Sequence, residues 1–319
     1  MAARGRRVSP VAVRLLIAYD GSTAAEAAVV TAGRLFAEAG GCLLTVIEPT
    51  PSAARVQSLA FGLDGAIIQR ELEALEREQV EGGRDIAARG LQSAEAAGLA
   101  LESRVRPREG SESQTILSEA DSIDADVIIC GSRGQGGVAR SLLGSTSTSV
   151  LHHSTRPVLV VAAPGAIDGP TLIAYDDSEG ARAAIAEAGR LLPQRRALIV
   201  HVWNSPLRNT LSGRVFAGAP VGGLAEFSAD YERVFADAAT SVVDQGVTLA
   251  REAGLDASGE AIESGSGAWR ALAEVAKDRQ SAVIVAGSRG RGGLASTIFG
   301  SVSSGLVHNS ETPVLVVRP

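Results

Sequence analysis

Along the chain, short runs that are mostly apolar alternate with longer runs that are amphipathic or alanine-rich. RLLIAYD (14–20), GCLLTVIE (41–48), LALESRVR (99–106), DVIIC (126–130) and PVLVV (157–161) read as strands. Helical patterns over 23–39, 66–97, 113–123 and 145–153 lie between them. The second of these is long, and Gly82-Gly83 within it predicts a break or softening. Strands that are apolar throughout and alternate with helices indicate parallel sheets covered on both faces. Such sheets take ligands beyond the carboxyl ends of their strands. Asp20, Glu48 and Gly131 stand at such ends.

The same pattern then runs a second time. LIAYD at 16–20 returns at 172–176, and Asp20 and Asp176 are 156 positions apart. Gly131 and Gly287, His152 and His308, and Pro157 and Pro313 keep that 156-residue offset. A constant offset over so many landmarks is duplication of a whole domain, far beyond a solenoid period. The second copy supplies strands ALIVHVW (197–203) and PVLVV (313–317) and a helix near 226–253. The domains are read as 11–163 and 170–319, joined where AAPGAIDGP (162–170) interrupts the pattern, with 1–10 as a disordered tail.

Composition narrows the function. Of 319 residues, 45% are hydrophobic and 21% charged, which describes a soluble globular protein with room for two cores. A net charge of −6 argues against a nucleic-acid binder. The basic start leads into no secretory apolar core and no run reaches membrane-spanning length, so a cytoplasmic protein with no membrane partner is expected. Cys42 and Cys130 both lie in or beside apolar runs and read as buried free thiols. His152, His153 and His308 fall near the ends of predicted helices and read as caps, and His201 as a packed core residue.

Two stretches carry the chemistry. GSRGQGGVARSLLGS (131–145) and GSRGRGGLASTIFGS (287–301) share one spacing: Gly131, Gly134 and Gly144-Ser145, then Gly287, Gly290 and Gly300-Ser301. Each follows an apolar strand and precedes a helical stretch. A glycine-rich loop running into a helix N-terminus presents amides and the positive dipole end, which suits phosphate. There is no GxxxxGK[ST] P-loop, and no GxGxxG follows the first strand. No catalytic set is identifiable from spacing, and no metal-ligand cluster is expected.

These motifs resemble the universal stress protein family in its tandem-domain, ATP-binding form. The resemblance rests on G-x2-G-x9-G-[S/T] met twice, an aspartate closing the first strand of each copy, and the closing PVLVV. It implies two flavodoxin-like or HUP-like (adenine nucleotide alpha hydrolase-like) domains, each with a mostly parallel five-stranded sheet. By the same resemblance Asp20 and Asp176 contact the adenine edge, and the backbone near Val46 and Val202 flanks the base. Gly131, Gly134, Gly287 and Gly290 line the ribose and phosphates. Gly144, Ser145 and Thr146, with Gly300, Ser301 and Val302, hold the phosphates. Mg2+ or Mn2+ rides on those phosphates without protein ligands of its own. Arg133 and Arg289 either add charge to the site or stand as solvated loop arginines. Gly21 and Asp177 are counted with the sites, although the second copy's extra carboxylate, and Arg291 in place of Gln135, put the equivalence of the two sites in question. The implied function is nucleotide-dependent regulation in a stress response, hydrolysis being slow at most. A slow ATPase or nucleotidyl transferase, and a scaffold with vestigial sites, are the alternatives. The two PVLVV strands are expected to pair antiparallel within the chain as a pseudo-dimer, with any higher assembly a homodimer of chains.

Overall fold

The computed structural model describes residues 13–51, 56, 64–134, 143–205, 221–290 and 299–319. The expected tail, and positions 135 and 291, lie outside these described residues. In the first half β1 (Arg14–Ala18), α1 (Thr23–Leu35), β2 (Gly40–Ile47) and α2 (Gly65–Ala96) are followed by β3 (Ala100–Pro107) and α3 (Glu112–Ser122). The half closes with β4 (Val127–Gly131), α4 (Ser145–His153) and β5 (Val158–Val161). The second half repeats it with β6 (Thr171–Ala174), α5 (Glu179–Leu191), β7 (Arg196–Trp203), α6 (Val221–Glu252) and β8 (Asp256–Glu263). It ends with α7 (Ala268–Asp278), β9 (Val283–Gly287), α8 (Ser301–Asn309) and β10 (Val314–Val317).

The strands form one ten-stranded sheet in the order β3-β2-β1-β4-β5-β10-β9-β6-β7-β8. The five strands expected for each domain are thus not two sheets but the two halves of one, joined edge to edge. Neighbours within each half are parallel, and β5 and β10 fuse the halves by pairing antiparallel, Leu315 opposite Leu159. Apolar terminal strands with open edges are aggregation hazards, and here each covers the other.

Successive strand residues point to opposite faces, so the apolar runs feed two cores. One holds Leu15, Ile17, Leu43 and Ile129 under α1 and α2, and the other Leu16, Leu44 and Ile128 under α3, which contributes Ile116, and α4. Both cores continue across the junction between halves: Leu159 and Leu315 share the first, and Val158 and Val316 the second.

The long helix α2 runs unbroken through Gly82-Gly83, against the expected softening. Packing explains Gly83: a Cβ there would stand 2.6 Å from Ile47 Cγ2 and 2.9 Å from Val105 Cγ1. That glycine lets α2 press onto β2 and β3, whereas Gly82 faces open space. Among the described residues, no helix is long and apolar enough to cross a membrane.

Candidate functional site

Strand order reverses between β1 and β4 in the first half and between β6 and β9 in the second, the topological switch points where such sheets open a crevice. At the first, Asp20 closes the strand and turns it. Its Oδ1 accepts from the Ser22 amide at 2.9 Å, and the Ser22 hydroxyl then caps α1 by accepting from the Ala25 amide at 3.2 Å. Asp176 and Ser178 repeat this, with the Ser178 amide 3.1 Å from Asp176 Oδ1 and the Ala181 amide 3.2 Å from the Ser178 hydroxyl. Residues between them take left-handed backbone, φ 78° at Gly21 and 63° at Asp177.

Across each crevice lies the end of the fourth strand. The Ser132 amide donates to Val161 O and the Gly144 amide to Ser132 O, which folds the described ends of the loop back on β5 and α4. Ser288, Val317 and Gly300 make the same two bonds in the second half. The Ser147 hydroxyl, inside α4, donates to Gly131 O at 2.7 Å. The first turn of α4 therefore faces the crevice with its amides unpaired within the helix, a positive end suited to anions.

A cavity of about 540 Å³ results in the first half and one of about 600 Å³ in the second, within the range of small-molecule pockets. Asp20, Val46, Gly131, Arg133, Gly134, Gly144, Ser145 and Thr146 all line the first. Asp176, Val202, Gly287, Arg289, Gly290, Gly300, Ser301 and Val302 line the second. Gly21 and Asp177 do not. The Asp177 carboxylate turns instead to the Tyr175 hydroxyl at 2.9 Å and to Arg182 at 2.6 Å, so it is neutralised outside the cavity. Glu48, also at a strand end, pairs with Arg108 at 2.6 Å, and this partner lowers its pKa.

Several lining residues escaped the sequence reading. Thr45 and His201, related by the repeat offset, both hydrogen-bond the carbonyl before the aspartate: Thr45 Oγ1 to Tyr19 O at 3.0 Å, His201 Nδ1 to Tyr175 O at 2.8 Å. His201 is thus a half-buried wall of the second cavity rather than a packed core residue. Tyr19 lies in the repeated LIAYD, which is the signal that marks it. Burial, helped by the Glu26 carboxylate it donates to, pushes its phenol up to about 12, so it stays neutral. Burial also raises the Cys130 thiol to about 12, which removes it as a nucleophile. Glu112, Ile116 and Ile86 complete the first cavity, with Ala268, Leu272 and Phe299 in the second.

The helix-end histidines divide. His153 and His308 turn back onto their own helices, each Nδ1 2.8 Å from a carbonyl four residues earlier, as caps do. His152 instead packs edge-on against Phe299 of the other half, ring centres 5.0 Å apart. Burial, and then the nearby charges of His153, Arg318 and His308, lower its pKa.

The donor set fits a phosphate-bearing ligand. Gly144 has an ordinary φ of −78°, and a Cβ there would come no nearer than 3.4 Å to Ser132 O. The fold does not need a glycine at that position; what its absent side chain leaves clear is the row of amides at the start of α4. Gly300, φ −73°, is the same, a Cβ there coming no nearer than 3.5 Å to Ser288 O. Among the described residues, no three His, Cys, Asp or Glu side chains gather as a metal cage would require.

The profile of the Universal stress protein family matches residues 13–162 and 170–318. A universal stress protein of Mycolicibacterium smegmatis is 30% identical over 318 residues, covering 96% of this chain and 97% of that one. One from Mycobacterium tuberculosis is 30% identical over 205 residues, 61% of this chain and 62% of its own. Among solved structures, a universal stress protein from Archaeoglobus fulgidus superposes with a TM-score of 0.55 at 22% identity, covering 96% of both chains. With two family matches that together span both halves, and a relative aligned nearly end to end, the chain belongs to the universal stress protein family.

Proposed function

We propose that each half binds ATP in its crevice and that the chain acts as a nucleotide-dependent regulatory protein of the stress response. One observation carries the reading: the same arrangement of strand-end aspartate, glycine turn and open helix N-terminus faces a nucleotide-sized cavity twice. In the first half, Val46, Ile86 and Ile116 offer an apolar berth for the base, and Asp20 reads its edge. Gly131, Arg133 and Gly134 follow the ribose and phosphates, and the amides at Ser145 and Thr146 end the row. In the second half Val202 and Leu272, then Asp176, then Gly287, Arg289 and Gly290, and finally Ser301 and Val302 take the same parts. Bound Mg2+ or Mn2+ supplies charge neutralisation to the phosphates. The side chains described at the crevices bind and orient, and the buried phenols of Tyr19 and Tyr175, each raised by burial to about 12, and the Cys130 thiol stay protonated.

Calorimetry and native mass spectrometry test this directly. Two ATP molecules per chain are expected. Gly144→Asp and Gly300→Asp, each placing a carboxylate at one helix N-terminus, are each expected to remove one, and the double variant both. Two ATP still bound by the double variant would refute the placement. A thermal midpoint raised as much by GTP as by ATP would remove the adenine-reading role of the aspartates.

A further inference from the structure

The two cavities are built from one duplicated sequence, so their differences are informative. Most lining positions are identical or similar across the offset, but the place where phosphate would end is not. In the first half Glu112, in the first turn of α3, leans over the start of α4 and accepts a hydrogen bond from Thr146 Oγ1 at 2.6 Å. Glu112 is half-buried, and both residues line the cavity beside Ser145. The matching pair in the second half is Ala268 and Val302, which line their cavity with neither a carboxylate nor a hydroxyl.

A helix N-terminus attracts one anion readily. In the first half a carboxylate of the protein's own already stands there. A phosphate arriving at the same amides meets the Glu112 charge at short range, partly shielded from water, where like charges repel more than in bulk solvent. In the second half, among the described residues, no carboxylate holds the matching place beside the amides of α8.

We infer that Glu112 is a specificity-determining residue that makes the two halves unequal. The C-terminal crevice takes a nucleoside polyphosphate without help, and the N-terminal crevice disfavours the phosphates while still accepting the nucleoside. This rests on the nucleotide reading proposed above and goes beyond it, because that reading treats the halves alike.

The test uses the full chain with one crevice closed to phosphate, titrated with ATP and with adenosine in the presence of EDTA. Gly300→Asp isolates the N-terminal crevice for ATP and Gly144→Asp the C-terminal one, whereas adenosine, with no phosphate for the added carboxylate to repel, is expected to bind both crevices of either chain. The N-terminal crevice is expected to bind ATP about tenfold more weakly than the C-terminal one, with adenosine affinities nearly equal. Glu112→Gln in the Gly300→Asp chain is expected to recover about that tenfold for ATP and to leave adenosine unchanged. The reciprocal change, Ala268→Glu with Val302→Thr in the Gly144→Asp chain, is expected to lose it. That second arm does not depend on the fold tolerating loss of Glu112. Equal ATP affinities in the two halves, or an ATP affinity indifferent to both exchanges, overturns the inference alone. Failure of both crevices to bind either ligand overturns the nucleotide reading and this inference with it.

Discussion

At the scale of single residues, the loop glycines have different tasks. Gly131 lies flush against the first turn of α1, and a Cβ there would be 2.7 Å from the Ala24 carbonyl carbon and 2.9 Å from the Ala25 nitrogen. A Cβ at Gly134 would stand 2.6 Å from Asp20 Oδ2, and one at Gly290 2.7 Å from Asp176 Oδ2. These glycines serve packing whatever binds. Among the described glycines of its loop, Gly144 alone has room for a side chain, and as the N-cap of α4 it makes no side-chain cap bond. Gly144→Asp is therefore expected to keep stability or raise it by a few tenths of a kcal/mol, while closing the crevice to ATP. Gly131→Ala is expected to cost about 1–3 kcal/mol through backbone collision. Urea unfolding beside calorimetry separates the two effects. Equal destabilisation by both variants would mean that Gly144 is a packing glycine after all.

The spacing of these glycines was readable from sequence because a strict repeat displays it twice. Their division of labour was not, because it depends on what stands opposite each one. Asp177 makes the same point: in sequence it is an added charge near an anion site, and only the Tyr175 and Arg182 contacts reveal a neutralised carboxylate turned elsewhere. His201 read as core because its strand is apolar, and its place on the crevice wall follows from lying at the strand's end beside Val202. Glu112 carried the sequence signature of a helix start, since Ser111 and Gln114 form a capping box. Its reach across to Thr146 is a tertiary contact that no local pattern announces.

At the scale of elements, α2 offers an internal control in two adjacent glycines. Gly82→Ala meets nothing within 4 Å, so it is expected to stabilise by up to about 1 kcal/mol through helix propensity. Gly83→Ala gains the same propensity but drives a methyl into Ile47 and Val105, and overpacking of about 1–3 kcal/mol reverses the sign. Denaturant midpoints decide, and a stabilising Gly83→Ala would show that α2 lifts off the sheet easily.

Helix α3 is pinned to β3 by a different device. Glu119, only 6% exposed, receives Arg104 and Arg106 from the strand, the latter at 2.9 Å. Burial works against its ionisation, but the two arginine hydrogen bonds outweigh it and lower its pKa. In the second half the corresponding residue is Val275, packed against apolar neighbours, and the ion pair across that joint is instead Arg279 to Glu260 at 2.8 Å. A carboxylate with a lowered folded pKa contributes stability above its unfolded pKa and loses it as pH falls through the folded value. Glu119→Gln is thus expected to cost about 1–2 kcal/mol at pH 7. The gap between wild type and variant should shrink as the pH drops below about 4.3. A gap independent of pH would assign the loss to shape rather than to charge.

At the scale of the whole molecule, duplication has placed both partners of a dimer-like seam in one chain. The connection at 162–170 is tied down rather than slack: Arg34 donates to Gly165 O at 2.8 Å and Arg196 to Asp168 O at 2.6 Å. Arg190 reaches Asp126 across the halves at 2.5 Å, and Arg318 donates to Leu151 O at 2.9 Å. Ser132 and Ser288, which turn the crevice loops, hang from Val161 and Val317, the last residues of the two seam strands. The seam and both crevices therefore share backbone. Leu159 and Leu315 face each other at its centre, both almost fully buried. Cysteines placed at these two positions are expected to form a disulfide within one chain, at a yield independent of protein concentration. The native Cys42 and Cys130, buried and with raised thiol pKa values, should not compete. Non-reducing electrophoresis with mass analysis reads the result. Cross-links found only between chains, rising with concentration, would mean that the strands exchange partners and that the continuous sheet belongs to an assembly of two chains rather than to one.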